Sequence, residues 1–465
     1  MAARAALLTI ACLFFATSVR AAPAEWLCDR SPLLIKNVRL PGASNATHIL
    51  ISDGRIQNVG PDLTVPESNH RVIDGARAFA LPGLIDSHTH FDALPAAKHR
   101  QANLNVQTEI FPVTMRQTLA SGVTTARTHL AALADMPLMA ALNDDDCFPS
   151  PRLVLSGPGL LGGAPRVNAR LMRGIAGPED ATSKVQELAE HGAAWLALHG
   201  IESFSSEELE SVFTAAEKNN IDVMADTDSF ESLSAALKWP VLSGEYINRS
   251  PAAAYPPEIL EAVSAKDDFY LTPPLGYYLR SVALAEDETA SFDPALLEFT
   301  PDELAVEMKA SFREAFDKDD YIASAVEAVP TFKEKFKALR AAGAKPVIGS
   351  DSGSLGQFHL DAVWKEMAAW RDMGEMPNDV LAGATTTPAE MLGRDDIGVL
   401  ETGARGDVVL YNGGLNAGEF DRMHVVAVIK GGVVYVADGR WVGPDAQQTK
   451  AKVTAHIERV KTAGQ

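Results

Sequence analysis

Positive charge is the first shortage. Lys and Arg number 41 against 61 Asp and Glu, a formal net charge of −20, which argues against nucleic acid or an anionic membrane surface as a partner. Cysteine is scarce too: Cys12, Cys28 and Cys147 are the only three in 465 residues. Long apolar runs are missing apart from Ala5–Thr17 (AALLTIACLFFAT), which is too short for a typical spanning helix. No G-x-S-x-G elbow and no P-loop occur, so neither a serine-elbow hydrolase nor a nucleotide site is indicated. The Gly-rich GPGLLGGAP at 157–165 lacks the G-x-G-x-x-G order and reads as a mobile loop. No internal repeat or low-complexity segment appears.

What is present begins with an export pattern. Arg4 precedes the short apolar run, and Val19-Arg20-Ala21 offers a small-x-small cleavage site, so residues 1–21 read as a signal peptide. The mature chain is then expected in the periplasm or outside the cell. Cys12 leaves with the signal. Cys28 and Cys147 remain, either as a single disulfide in an oxidising compartment or as two unrelated thiols. Apolar content of 46% and charged content of 22% are ordinary for a globular protein. The length allows a large core or more than one domain.

Three regions separate by pattern. Residues 22–80 carry short β-like runs (LLIKNVRL, HILISDGRIQNVG, HRVIDGARAF) broken by Gly and Asp turns. Residues 81–397 alternate short apolar strands with helical segments. Eight candidate strands lie there: Gly83–His88, Val123–Thr128, Leu153–Ser156, Ala194–His199, Asp222–Asp226, Val241–Ile247, Phe269–Pro273 and Pro346–Asp351. Eight βα units over such a length predict an α/β fold, a (β/α)8 TIM-like barrel. Residues 398–443 return to the β pattern, so the two flanking stretches are expected to build one small composite β-sandwich. Residues 444–465 read as a C-terminal helix. The segment from Leu275 to Lys345 is helical and acidic in stretches. It is either a lid or wall over the catalytic face or a solvated insertion.

LPGLIDSHTHFD, residues 81–92, ends an apolar run in His88 and His90. A strand sends residues i and i+2 to the same face, so both imidazoles aim at one point. A closed barrel places the end of the eighth strand, with Asp351 in KPVIGSDSG, beside the first. Two imidazoles and a carboxylate make a divalent-cation site, with Asp351 as the base that takes a proton from water.

These segments resemble the amidohydrolase superfamily, in particular its imidazolonepropionase/prolidase-like branch. ILISDGRIQNVG with FALPGLIDSHTHFD is similar to the family's opening, SGVTTART to the element around strand two, and GSDSG with ATTTPAEMLGRDDIGVLETGARGDVVLYNG to the closing stretch. The resemblance implies a metal-dependent hydrolase of carbon–nitrogen bonds, acting on an amide, a cyclic amide or a dipeptide-like substrate. It implies His88, His90 and Asp351 as metal ligands and one divalent ion, with Zn²⁺ the first expectation.

The ligand set departs from the family's. Ala197 stands where members with two metals carry a lysine, Asp226 near the strand-five histidine, and Glu245-Tyr246 at the strand-six Glu-His pair. A second metal is therefore expected to be absent. Asp226, His199 and Tyr246 are additional candidates for metal or substrate contact, with His129 a lesser one. Each has a plain alternative as a polar group or a packed ring at the barrel mouth. The competing function is a catalytically degenerate barrel that binds or scaffolds without hydrolysis. The expected partner is a small molecule, and association with further copies of the chain stays open.

Overall fold

The computed structural model describes residues 28–63, 70–95, 105–164, 166, 169–252, 254–286, 292–317 and 320–463. The signal-peptide reading falls outside them.

Both ends of the chain contribute to one nine-stranded sheet. The N-terminal strands Leu33–Arg39, Ala46–Ser52, Arg55–Gly60, Arg71–Asp74 and Phe79–Pro82 join the C-terminal strands Val408–Tyr411, Val425–Lys430, Val433–Ala437 and Arg440–Trp441. The seam is the antiparallel pairing of Phe79–Pro82 with Val408–Tyr411. Alternation on these strands produces a shared core in which Leu33, Ile35, Ile49 and Ile51 from one end meet Val408, Leu410 and Ile429 from the other.

The barrel strands follow the expected order. They run Leu84–Thr89, Val123–Thr128, Arg152–Val154, Trp195–His199, Asp222–Asp226, Ser243–Glu245, Tyr270–Thr272 and Lys345–Pro346. Parallel pairing links the first three, and a second run links the fourth to the eighth. Backbone bonds close the ring at both gaps. Ala194 N donates to Leu155 O at 2.8 Å, and Ser87 N to Ile348 O and Asp351 N to His88 O at 2.9 Å each. Inside lie Trp195, Ala197, Met224, Tyr270 and Val347, all buried together. Their neighbours Leu196, Leu198, Val223 and Ala225 face the surrounding helices. This inward alternation fills the barrel and carries the next inward positions to its mouth.

The 157–165 reading changes. Gly159–Leu161 is a strand, paired with Met172–Gly174 and with the end of Trp195–His199. Burial of Leu160 to 0% exposure outweighs the turn signal of the surrounding glycines. The segment after the seventh strand is helical as expected, with helices Leu275–Glu286, Asp302–Asp317 and Asp320–Ala341. It is not a solvated insertion: Tyr278, Phe332 and Phe336 are fully buried in the main core. Among the described residues no helix is long and apolar enough to cross a membrane.

Cys28 and Cys147 form a disulfide with Cα atoms 5.7 Å apart, closing a separation of 119 residues. It ties the start of the described chain to the turn after helix Met136–Asn143. Cross-linking removes freedom from the unfolded chain, so Cys147→Ser is expected to lower unfolding free energy by about 2–5 kcal/mol. Urea titration of the oxidised wild type against the variant measures this. Coincident curves would mean that the bridge adds nothing to stability.

Candidate metal centre

The first strand delivers His88 and His90 to the barrel mouth. His88 is fully buried, while the side chain of His90 keeps 14% exposure. Asp351, after the eighth strand, reaches both: its Oδ1 is 3.1 Å from His90 Nε2 and 3.7 Å from His88 Nε2. Ser354 Oγ donates to the same Oδ1 at 2.7 Å. Asp351 adopts φ +53°, a left-handed conformation that costs most residues energy but suits Asp and Asn. Gly353, at φ +96°, passes so close to the first strand that a Cβ there would lie 2.5 Å from His90 O. The G-S-D-S-G turn thus presses the carboxylate against the histidine pair.

Beneath His88 lies a buried ionic network. His88 Nδ1 meets Glu245 Oε2 at 2.7 Å. Glu245 Oε1 accepts from Arg127 Nη2 at 2.6 Å and from Ser243 Oγ at 2.6 Å. Arg127 Nε donates to Ser87 O at 2.6 Å, and its guanidinium stacks over Trp195 at 4.4 Å. Burial alone would raise the Glu245 carboxyl, but the Arg127 charge and the His88 bond outweigh it and hold it down to about 2. An ionised Glu245 requires an Nδ1–H on His88, and in the neutral imidazole that tautomer has its lone pair on Nε2, facing the mouth. Tyr246 places its hydroxyl 3.3 Å from that Nε2, so it neither packs away from the site nor stands apart from it.

A second group adjoins the first. His129 stacks on His88 with ring centroids 4.0 Å apart and lies 5.4 Å from the rings of both His90 and His199. His199 Nδ1 meets Asp226 Oδ2 at 2.6 Å, and His129 Nε2 lies 3.9 Å from Asp226 Oδ1. Burial, then the charges of His88, His199 and His90, push His129 well below the usual imidazole value. Burial also pulls on His90 and His199, but the carboxylates of Asp351 and Asp226 outweigh it and raise both.

Every additional candidate is therefore at the mouth. His199 and Asp226 continue the inward series of Trp195, Ala197 and Met224. His129, the lesser candidate, proves central. Period two from Arg127 along its strand carried that signal, since both point into the barrel. The role of Glu245 under His88 had no local signal, because its partner Arg127 is 118 residues away.

Gly159 explains how His199 fits. A Cβ there would lie 2.5 Å from His199 Cδ2 and 2.7 Å from Nε2. Gly159→Ala is expected to displace the imidazole and cost about 1–3 kcal/mol, read by chemical denaturation, with the His199 ring resonances shifted in NMR spectra. An unmoved ring would show that the strand yields instead.

The donor set fits divalent cations. His88, His90 and Asp351 place one ligand atom each within 4.8 Å of one another, as do His129, His199 and Asp226. Imidazole nitrogen with carboxylate oxygen suits Zn²⁺ and several neighbouring ions. Glu245 also falls within such a group with His88 and His129, but its oxygens are already bonded to Arg127, Ser243 and His88.

A 58-residue stretch is 41% identical to the dihydroorotase of Mycobacterium tuberculosis, covering 12% of this chain and 13% of that protein. The match thus spans only about an eighth of the curated relative. Over the whole fold the chain is similar to the crystal structure of an amidohydrolase, with TM-score 0.68 and 23% identity over 87% of this chain and 99% of that one. It is also similar to a Xaa-Pro dipeptidase crystallised with methionine in its active site, with TM-score 0.67 and 20% identity over 88% and 100%. The model of the amidohydrolase family matches residues 79–442, most of the chain and all eight barrel strands, and the protein belongs to that family.

Proposed function

We propose that this protein is an exported metal-dependent hydrolase that cleaves a carbon–nitrogen bond in an amide, a cyclic amide or a dipeptide-like substrate. The observation that carries the reading is the convergence of His88, His90 and Asp351, from opposite ends of the barrel sequence, with ligand atoms within 4.8 Å. Family membership supports the reaction class. The substrate class draws on the dihydroorotase and Xaa-Pro dipeptidase likenesses.

When bound at this triad, a divalent ion, Zn²⁺ first among the candidates, supplies a Lewis acid that makes water a nucleophile near neutral pH. The chain's own residues do the rest. Glu245 and Arg127 fix the tautomer and orientation of His88. Asp351 is the base that takes the proton from attacking water and delivers it to the departing nitrogen. The Tyr246 hydroxyl, aimed at the same point, is a donor to a carbonyl oxygen that gains negative charge. Export draws support from the Cys28–Cys147 bridge, since disulfides persist in oxidising compartments.

The test pairs metal analysis with a substrate panel. Protein loaded with Zn²⁺ or Mn²⁺ is assayed on Xaa-Pro dipeptides, N-acyl amino acids and cyclic amides. Chelation is expected to abolish turnover, and metal is expected to restore it. Metal bound without turnover on any member of the panel would favour the binding or scaffold role.

A further inference from the structure

We propose that Lys335 is a positioning residue for Tyr246: its ammonium grips the segment after the sixth strand and so holds the Tyr246 hydroxyl against the His88 imidazole. The inference rests on the hydrolase reading for what Tyr246 does, while the grip is a geometric fact of the chain. Lys335 lies on helix Asp320–Ala341, between the buried Phe332 and Phe336 in sequence, and is itself 0% exposed. A buried ammonium is costly unless opposite charge or several acceptors compensate it. Burial pulls Lys335 down to about 8 with no neighbouring charge to offset it, so near neutral pH it is still mainly a three-donor ammonium. All three donors serve one segment. Nζ donates to Asn248 O at 2.9 Å, to Asn248 Oδ1 at 3.2 Å and to Ser250 O.

That segment begins at Tyr246, whose φ is +70°. A left-handed backbone is an outlier for a bulky residue and persists only where its surroundings over-determine it. Tyr246 N donates to Thr272 O at 3.0 Å, and Thr227 Oγ1 donates to Tyr246 O at 3.1 Å. These bonds fix the near side of the kink. On the far side, Asn248 N reaches Tyr255 Oη at 3.3 Å, and Lys335 adds the charge-assisted restraint. Ile247 and Asn248 between them are 0% exposed. The outcome is a Tyr246 hydroxyl 3.3 Å from His88 Nε2, with the two rings edge-on at 5.2 Å. None of the three Lys335 bonds goes to a proposed metal ligand, so Lys335 acts through Tyr246.

The test uses the full chain with two substitutions. Lys335→Met keeps the stem and removes the ammonium; Tyr246→Phe keeps the ring and removes the hydroxyl. Circular dichroism and thermal melting check the fold. The first reading is the proton–carbon NMR resonance of the His88 imidazole, identified by its loss in His88→Gln. It needs no turnover. Lys335→Met is expected to move this resonance away from wild type, toward its position in Tyr246→Phe. The second reading is kcat and KM on any member of the substrate panel that the metal-loaded protein turns over, in both single variants and the double variant.

Losing a donor to a developing oxyanion costs about 10²–10³-fold, and misplacing a group by about 1 Å costs up to about 10²-fold. Lys335→Met is therefore expected to lower kcat at least about tenfold, with KM within about twofold of wild type. In the Tyr246→Phe background the same change should add less than about twofold. A His88 resonance that stays in place in folded Lys335→Met overturns the proposal. So does a kcat loss of equal size with and without the Tyr246 hydroxyl, which marks a lysine that only supports the fold. If Lys335→Met does not fold, Asn248→Ala, which removes one acceptor of the grip, carries both readings under the same criteria. A panel without turnover bears on the hydrolase reading alone, and a moved resonance then still supports the grip.

Discussion

Asp351→Asn is expected to lower kcat by about 10²–10⁴-fold, the range of a lost general base, while leaving the fold in place. Asparagine is a suitable probe because Asp351 sits at φ +53°. Asn tolerates that left-handed backbone, whereas most replacements would add strain of their own. The amide oxygen can still accept the hydroxyl of Ser354, now 2.7 Å from Asp351 Oδ1. The substitution therefore removes charge and basicity and weakens one ligand of the proposed triad, so metal content is measured beside turnover, while the turn itself is little changed. Thermal melting and circular dichroism of the stripped protein establish that the barrel persists. Turnover equal to wild type at every pH would remove Asp351 from the role of base, and a collapsed melting curve would place its importance in the turn instead.

Arg127→Met is expected to destabilise the protein by about 3–5 kcal/mol, the cost of breaking a buried ion pair from one side. Arg127 and Glu245 are both buried to within 1% of complete, so no water can replace the lost partner. Glu245 would then rise from about 2 toward or beyond the ordinary carboxylate value as desolvation prevails. The pH sign follows. A depressed carboxylate contributes stability that is present above the unfolded value and is lost as pH falls through the folded one. In stripped wild type this contribution should fade between the ordinary glutamate value of 4.5 and about 2. In Arg127→Met the folded value lies nearer to or above the unfolded one, so this acid loss should shrink or reverse. Urea unfolding across an acid series reads both effects, and a double-mutant cycle with Glu245→Gln isolates the pair. Parallel pH profiles in the two proteins would show that Arg127 does not set the Glu245 charge.

The pair also bears on the site. Glu245 without Arg127 can carry a proton itself and donate it to His88 Nδ1, so the bare nitrogen would no longer be fixed at Nε2. Metal affinity should fall in Arg127→Met even though Arg127 touches no ligand atom of the proposed triad, an effect of about 10–100-fold for a lost outer partner.

Local rules made much of the barrel readable. The second and fifth strands fall at Val123–Thr128 and Asp222–Asp226, where the run of β-formers and the flanking turn residues agree. The helix Ser206–Lys218 begins at a Ser205–Glu208 capping box, a signal carried within four residues. The glycines of 157–165 misled for the opposite reason. Turn propensity is local, while the burial of Leu160 and the approach of His199 are tertiary facts that override it.

The sequence by itself determined the two-residue spacing of His88 and His90, the strand count that demands a closed barrel, and the Asp351 turn that closure brings beside them. These follow from the period of a strand and from the circular order of eight βα units. Only the tertiary structure decided that Glu245 orients His88 under the grip of Arg127, that Cys28 meets Cys147, and that His129, His199 and Asp226 gather at one point. Those groups come from different strands and loops. A lone histidine or carboxylate has the same local sequence whether it ends in solvent or in a cluster, and barrel closure alone brings such residues within reach of one ion.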